Sequence, residues 1–272
     1  MINNKYYVVD AHCHIYPDKI SQVAVKHTDD FYNDQLNVKS CYKGTVSDLI
    51  LEGGQAGVDR FVVQSVATNA KQVKSINEFI AKEVQANNGK LVGLGTMHPE
   101  SEDLTGDLQH LMELGLKGVK IHPDIQGFFI DDSRYMKIFE LCEKNNVPVL
   151  SHTGDKRFDY SNPNRVIKVL NEFKNLTLIG AHFGGWSVWE EACEKFSGVE
   201  NFYVDSSSSF YTLDKETARN LILKYGVDKI LFATDYPMWN IVREIEYLLD
   251  LNLSQTDYIK IFSENVKKVY KF

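Results

Sequence analysis

The chain is predicted to fold as a single (β/α)8 barrel over residues 1–272, an α/β architecture with a long first βα loop and extra helices at its C-terminal end. Three observations predict it. Eight strand-like segments follow one another along the chain, each handing over to a helix-like one, the pattern of a parallel sheet wrapped by helices. The strand interiors, such as Ile230-Leu231-Phe232-Ala233, are short and apolar without alternation, as in strands covered on both faces. Polar residues interrupt these segments where each strand meets its loop, and His122, His152 and His182 recur every 30 residues, about the length of one βα unit.

The first strand is Val8-Val9-Asp10-Ala11-His12-Cys13-His14. Ile15 to Gly44 is polar and mixed with no sustained period, so it reads as a functional loop containing some helix. Thr45 to Gly57 reads as a helix with Ser47 as N-cap, and Arg60 to Val66 as the second strand. Lys71 to Ala86 carries Val73, Ile76, Phe79, Ile80 and Val84 at helical spacing and stops at Asn87-Asn88-Gly89. Leu91 to Met97 is the third strand. The alternation continues with helix Glu102 to Leu114, strand Gly118 to His122, helix Asp132 to Asn145 and strand Pro148 to His152. A helix from Pro163, strand Leu176 to Gly180, helix Val188 to Phe196 and strand Asn201 to Asp205 come next. Helix Asp214 to Tyr225, strand Lys229 to Thr234 and helix Ile241 to Leu251 complete the eight units, and Ser254 to Tyr270 adds terminal helices expected on the outside.

Composition narrows the function classes. Apolar residues are 43% and charged residues 25%, ordinary globular usage. A net charge of −7 argues against nucleic acid or an anionic membrane as partner. The chain has no apolar run of membrane-spanning length, and Met1-Ile2-Asn3-Asn4-Lys5 enters a strand at once with no room for a signal peptide, so a cytoplasmic address is expected. The four cysteines, Cys13, Cys41, Cys142 and Cys193, show no C-x-x-C spacing and read as reduced small hydrophobes. A small molecule is the expected partner, with a homo-oligomer left open.

Successive side chains on a strand alternate faces, so His12 and His14 project together and can reach one metal ion. Taken alone, the pair could equally be hydrogen-bonded surface residues. Five of the eight histidines, His12, His14, His122, His152 and His182, stand at strand ends, the face on which barrels of this kind gather their active sites. Asp235 follows the apolar strand Phe232-Ala233-Thr234, and Pro237 makes a simple N-cap role indirect. Three imidazoles and one carboxylate with an open position form the donor set of a catalytic zinc, with nickel, iron or manganese also compatible.

Five motifs, Asp10-Ala11-His12-Cys13-His14, Lys120-Ile121-His122-Pro123, Ser151-His152-Thr153-Gly154, Ala181-His182-Phe183-Gly184-Gly185 and Thr234-Asp235-Tyr236-Pro237, together resemble the metal-dependent amidohydrolase superfamily. The branch resembled is amidohydrolase-2, which includes aminocarboxymuconate-semialdehyde decarboxylase and several sugar-acid and pyrone lactonases. The resemblance implies that His12, His14, His152 and Asp235 hold one divalent metal, zinc first, and that His182 is the general acid/base beside a metal-bound water, with Asp235 also taking its proton. Lys120 is open between a carboxylated bridge in a binuclear site, a contact to a substrate carboxylate together with His122, and a barrel-core lysine paired with an acid. Arg157, after the fifth strand, is a candidate substrate contact, with Lys156, Tyr160, Trp186 and the run Ser206-Ser207-Ser208-Ser209 as further candidates.

The leading expectation is a metal-dependent hydrolase of a small amide, cyclic amide or lactone. The alternative is a decarboxylase of a small unsaturated carboxylic acid on the same site. An arginine in the first long loop would mark the decarboxylase, and Ile15 to Gly44 holds none. A metal-dependent nuclease is disfavoured by the acidic charge and by the absence of a glutamate on the fourth strand.

Overall fold

Eight parallel strands close on themselves in a computed structural model that describes residues 5–36, 39–87 and 89–272. The expected Met1–Asn4 lead and the Asn88 helix stop lie outside the described residues. The strands are β1 (Val9–His14), β2 (Arg60–Gln64), β3 in two pieces (Leu91–Gly93 and Gly95–Thr96), β4 (Val119–Ile121), β5 (Val149–Ser151), β6 (Leu178–Gly180), β7 (Phe202–Asp205) and β8 (Ile230–Leu231). Each pairs in parallel with the next in chain order, apart from a break within β3 at Leu94. Leu94 bridges it, its N–H donating to Val63 O at 2.9 Å while Gly95 N–H donates to Gly118 O at 2.9 Å. Closure runs from β1 to the end of β8 through Ala11 N–H to Phe232 O at 2.9 Å and His14 N–H to Tyr236 O at 2.7 Å.

Alternate strand residues separate two cores. Val9, Ala11, Val62, Val92, Leu94, Leu150, Ile179, Tyr203 and Leu231 fill the barrel, whereas Val8, Cys13, Phe61, Val63, Val119 and Val149 face the helices. Val266, Val269 and Tyr270 of the terminal helix Asn265–Tyr270 join the interior core. The closing helix therefore plugs the barrel floor, where the sequence places it on the outside. Its apolar face is read correctly, but only closure of the sheet shows that an open barrel end is there to receive it.

The first βα segment is mostly helix. α1 (Asp18–Leu36) spans 19 residues and hangs over the C-terminal ends of the strands, where Ile20, Val23, Ala24, His27, Phe31 and Tyr32 line a cavity. Its apolar residues face that space as well as the core, so no clean stripe marks it in the sequence. α2 (Val46–Ala56) is capped by Thr45, whose hydroxyl accepts from Asp48 N–H at 3.3 Å, and not by Ser47. α3 (Val73–Ala86) follows a short 3-10 turn at Ala70–Gln72. A helix absent from the sequence reading, Pro123–Gln126, begins right after β4 and is capped by the His122 ring. Among the described residues, no helix is long and apolar enough to cross a membrane. Cys13, Cys142 and Cys193 are buried thiols and Cys41 an exposed one.

Glu244, on helix Ile241–Leu249 packed against α2, is 2% exposed and its Oε2 has no hydrogen-bond partner among the described residues. Burial raises its pKa from 4.5 to about 8, with Asp10 and Asp235 adding repulsion and Arg243 opposing. A carboxyl whose folded pKa is raised binds its proton more tightly in the folded state, so stability falls as pH climbs from 4.5 towards 8. Glu244→Gln is expected to leave the melting temperature nearly unchanged at pH 5 and to raise stability at pH 8 by a few kcal/mol, below an upper limit of about 5 kcal/mol. Equal melting shifts at the two pH values would show that the carboxyl does not titrate in this range.

Candidate active site

The strand ends bring five imidazoles, two carboxylates and one lysine into a single cluster. β1 carries a register irregularity between Asp10 and Cys13, and His12 within it and His14 beyond it both line the cavity. His12 Nδ1–H donates to Asp205 Oδ2 at 2.8 Å, which leaves Nε2 with its lone pair outward. That atom lies 3.1 Å from His14 Nε2 and 3.4 Å from Asp235 Oδ1, and His14 Nε2 is 3.5 Å from the same oxygen. Lys120 Nζ donates to His12 Nε2 at 3.0 Å.

Charge states follow from burial. His14 is held well below its ordinary pKa by burial, reinforced by His12 and Lys120, so its ring is neutral at pH 7. Asp235 sits at about 2: burial pushes it up, but His12, His182, His14 and the Ser208 hydroxyl together outweigh that. Lys120 is lowered to about 8 by burial, which Asp235 and Asp205 oppose.

His182 stands on the other side of His12, with ring centroids 5.5 Å apart. Its Nδ1–H donates to Ser207 O at 3.1 Å, so Nε2 points at His152 Nδ1, 3.1 Å away. His152 Nε2–H donates to Gly154 O at 3.0 Å. These two facing nitrogens, like those of His12 and His14, would repel unless a proton or a cation lies between them. Burial lowers His182 to about 4, against the pull of Asp235 and Asp205. His182 and Asp235 also share a backbone signature, with φ of 59° at each. Left-handed non-glycine residues cost about 1–3 kcal/mol and collect where function fixes them.

Of the ligand set expected from sequence, His12, His14 and Asp235 form the tightest group, their donor atoms all within 4.8 Å of one another. His152 stands next to it through His182 and belongs to a second buried group with His122 and Asp124. Lys120 and His122 both line the cavity. The His122 ring stacks on His152 with centroids 4.0 Å apart and planes 6° from parallel. Its Nδ1 accepts from Ile125 N–H at 3.3 Å, so Nε2–H donates to Tyr32 Oη at 3.0 Å. Arg157 does not line the cavity. Its guanidinium binds both oxygens of the buried Asp155 and donates from Nη1 to Phe31 O at 2.6 Å, tying α1 down instead of facing a ligand.

The serine run is also spent on the scaffold. Ser206 exchanges hydrogen bonds with the Ala233 backbone, Ser207 bonds Asp205 and His182, and Ser208 donates to Asp235 Oδ2. Sequence reasoning placed Asp205 at a strand end without a role, yet it anchors His12 through one oxygen and the His182 backbone, at 3.0 Å, through the other. Tyr32 was missed because α1 was read as loop. Gln64, beside His14 in register, is fully buried with both amide atoms unpartnered among the described residues, and the sequence held no signal for that.

Above the cluster opens a cavity of about 600 Å³, floored by the strand ends and walled by α1 on one side and α3 on the other. The amidohydrolase family profile matches residues 9–272, from β1 through the closing helix. The chain belongs to the amidohydrolase family. Among curated relatives of this chain, a gamma-resorcylate decarboxylase of Rhizobium sp. is 33% identical over 72 residues, 26% of this chain and 21% of that protein. The 2-amino-3-carboxymuconate-6-semialdehyde decarboxylase of Dictyostelium discoideum is 26% identical over 202 residues, 60% of this chain and 55% of that protein. The matched stretch thus spans only about a fifth to about half of these relatives' length. Among solved structures, an uncharacterised TIM-barrel protein of Bordetella bronchiseptica superposes with a TM-score of 0.81 at 20% identity, covering 97% of this chain and 98% of that one. A dihydroxybenzoic acid decarboxylase of Polaromonas sp. with bound manganese and the inhibitor 2-nitroresorcinol gives 0.74 at 16% identity, covering 98% and 97%. At these identities the structures establish the (β/α)8 fold.

The donor set fits a divalent metal. His12 and His14 offer lone pairs 3.1 Å apart, and an ionised carboxylate oxygen completes the face. Neutral imidazoles and a charged carboxylate are the protonation states that metal ligation requires at neutral pH.

Proposed function

We propose that this member of the amidohydrolase family is a metal-dependent decarboxylase of a small unsaturated or aromatic carboxylic acid. The observation that carries the reading is the match to 2-amino-3-carboxymuconate-6-semialdehyde decarboxylase over 202 residues, joined by the resorcylate decarboxylases. The sequence ranks hydrolysis first and decarboxylation second, and these relatives favour the second. His12, His14 and Asp235 would hold the metal, with His152 completing the set beside His182; manganese and zinc are the ions to try first. When bound, the metal supplies positive charge that orients the acid's oxygens and offsets charge developing in the transition state.

The chain's own residues then divide the work. Lys120, the one ammonium lining the cavity among the described residues, provides the cation that an arginine in the first loop would otherwise provide. Breaking the bond between the carboxylate and its carbon releases carbon dioxide and leaves an electron pair on that carbon, which must take up one proton. His182 delivers it. Its Nδ1–H is committed to Ser207 O, so the proton it delivers is one taken from solvent onto Nε2, the atom facing the cluster, when the anionic substrate binds, and delivery returns the ring to its neutral form. Burial holds this ring neutral in the resting site, and an anionic substrate favours its charged form. Tyr32 and the apolar face of α1 keep water off the carbanionic carbon.

The test loads the full chain with manganese or with zinc and follows carbon dioxide release from 2,6-dihydroxybenzoate, 5-carboxyvanillate and related acids, beside lactone and cyclic-amide hydrolysis. Carbon dioxide release from at least one acid is expected. Hydrolysis of a lactone or amide with no carbon dioxide from any acid would return the reading to the hydrolase.

A further inference from the structure

The cavity is larger and more apolar than its floor requires. Its acid and its lysine lie on one side, at the strand ends, and among the described residues Lys120 and Asp235 are the only Lys, Arg, Asp or Glu that line it. The opposite side is built from Ile20, Val23 and Ala24 of α1, Val66 after β2, and Ile76 and Phe79 of α3. Thr68, Gln72 and Ser75, with His27 and Thr28 of α1, are the polar groups there among the described residues, and none is an acid, a lysine or an arginine. Ile20 and Val23 remain 52% and 56% exposed although they line the cavity. A volume of about 600 Å³ falls mid-range for sites of roughly 300–1,000 Å³ that enclose drug-sized ligands. A single carboxylated ring held at the floor would leave this apolar wall in water.

We propose that the substrate carries an uncharged apolar arm, opposite its carboxylate, that lies between α1 and α3 against Ile20, Val23, Ile76 and Phe79. The arm is aliphatic or aryl, because among the described residues no acid, lysine or arginine stands on that wall and most of the available surface is branched alkyl and phenyl. The carboxylate end of this inference rests on the decarboxylase reading; the arm rests on the cavity wall alone. Exposed apolar patches mark protein, membrane or ligand contacts, and continuity with the catalytic cavity favours the ligand here.

Binding of a homologous series tests it. The manganese-loaded full chain is titrated calorimetrically with 2-hydroxybenzoate and with its 4-n-alkyl derivatives from methyl to pentyl, whose chains leave the ring opposite the carboxylate. Kd is expected to fall about fourfold for each added methylene until the wall ends. Ile20→Asp and Val23→Asp, at half-exposed positions that tolerate charge, are expected to cut that gain per methylene towards onefold. A Kd that stays constant or rises along the series overturns the arm. If the unsubstituted acid does not bind while the longer members follow the fourfold slope, the arm stands and the carboxylate end of the preceding reading falls. If neither the acid nor any derivative binds, both fall. Sedimentation of the same samples closes the remaining route: a dimer that Ile20→Asp splits, with the slope unchanged, makes this surface a contact between copies and overturns the proposal.

Discussion

His182→Asn is expected to lower turnover by about 10²- to 10⁴-fold while bound metal stays at the wild-type level. The separation follows from where each nitrogen points. His12, His14 and Asp235 make a closed group without His182, whose Nε2 faces His152 Nδ1 at 3.1 Å. Asparagine suits the site for two reasons. Its amide can reproduce the Nδ1–H bond to Ser207 O, and it tolerates the left-handed backbone, φ 59°, better than alanine does. What it lacks is a group that can gain and lose a proton near neutral pH. Metal content by elemental analysis, read beside turnover of whichever acid is processed, checks the expectation. An empty site in the variant would make His182 a ligand, and full turnover would remove it from the chemistry.

The strand ends mark these residues as one group, whereas the division between ligand and proton carrier came only from the family resemblance. The barrel is legible because strands buried on both faces leave short apolar runs, Ile230 to Ala233 among them, and because parallel strands need helical crossovers. His12, His14, His182 and Asp235 are legible because polar residues ending apolar strands have few other reasons to be there. α1 is not legible: Ile20, Val23, Ala24, His27 and Phe31 fall at helical spacing, but they face a cavity, and His27 and Thr28 break the stripe. Arg157 shows a different failure. Position alone puts it on the active-site face, and its charge is absorbed by Asp155 two residues earlier, a pairing that local sequence does offer to the eye. The serine run misled in the same way, since composition cannot tell hydroxyls that serve a ligand from hydroxyls that hold carboxylates. The closing helix carries an honest apolar face whose destination, the barrel floor, exists only once the sheet has closed.

Asp205 is the residue whose role lies furthest beyond the reach of sequence, because its partner His12 is 193 positions away. Asp205→Asn is expected to weaken metal binding by about 10- to 100-fold and to lower turnover with it, although no metal donor has been removed. The argument turns on hydrogen count. Oδ2 accepts from His12 Nδ1–H, and Oδ1 accepts from the His182 and Ser207 backbone N–H groups and the Ser207 hydroxyl. Every partner is a donor, so an ionised carboxylate satisfies all of them, and its pKa stays below the ordinary range: burial pushes it up, and His12, His182 and Ser207 outweigh that. An amide cannot do the same in either orientation. With its NH2 towards His12, it drives the ring to the other tautomer and places a hydrogen on Nε2, the atom that faces His14 and Asp235. With its NH2 towards His182 and Ser207, donors oppose donors in a site fully closed to water, at a cost of about 1–3 kcal/mol. Competition with a chelator measures the metal affinity, and a metal-free melting curve reads the cost before any ion is added, since the first orientation sets the new Nε2–H against Lys120 Nζ and the second sets donors against donors at Asp205. An unchanged metal affinity would mean that the Nδ1–H bond does not set the His12 tautomer, and the metal-binding face would then owe its form to Lys120 Nζ, 3.0 Å from the same nitrogen.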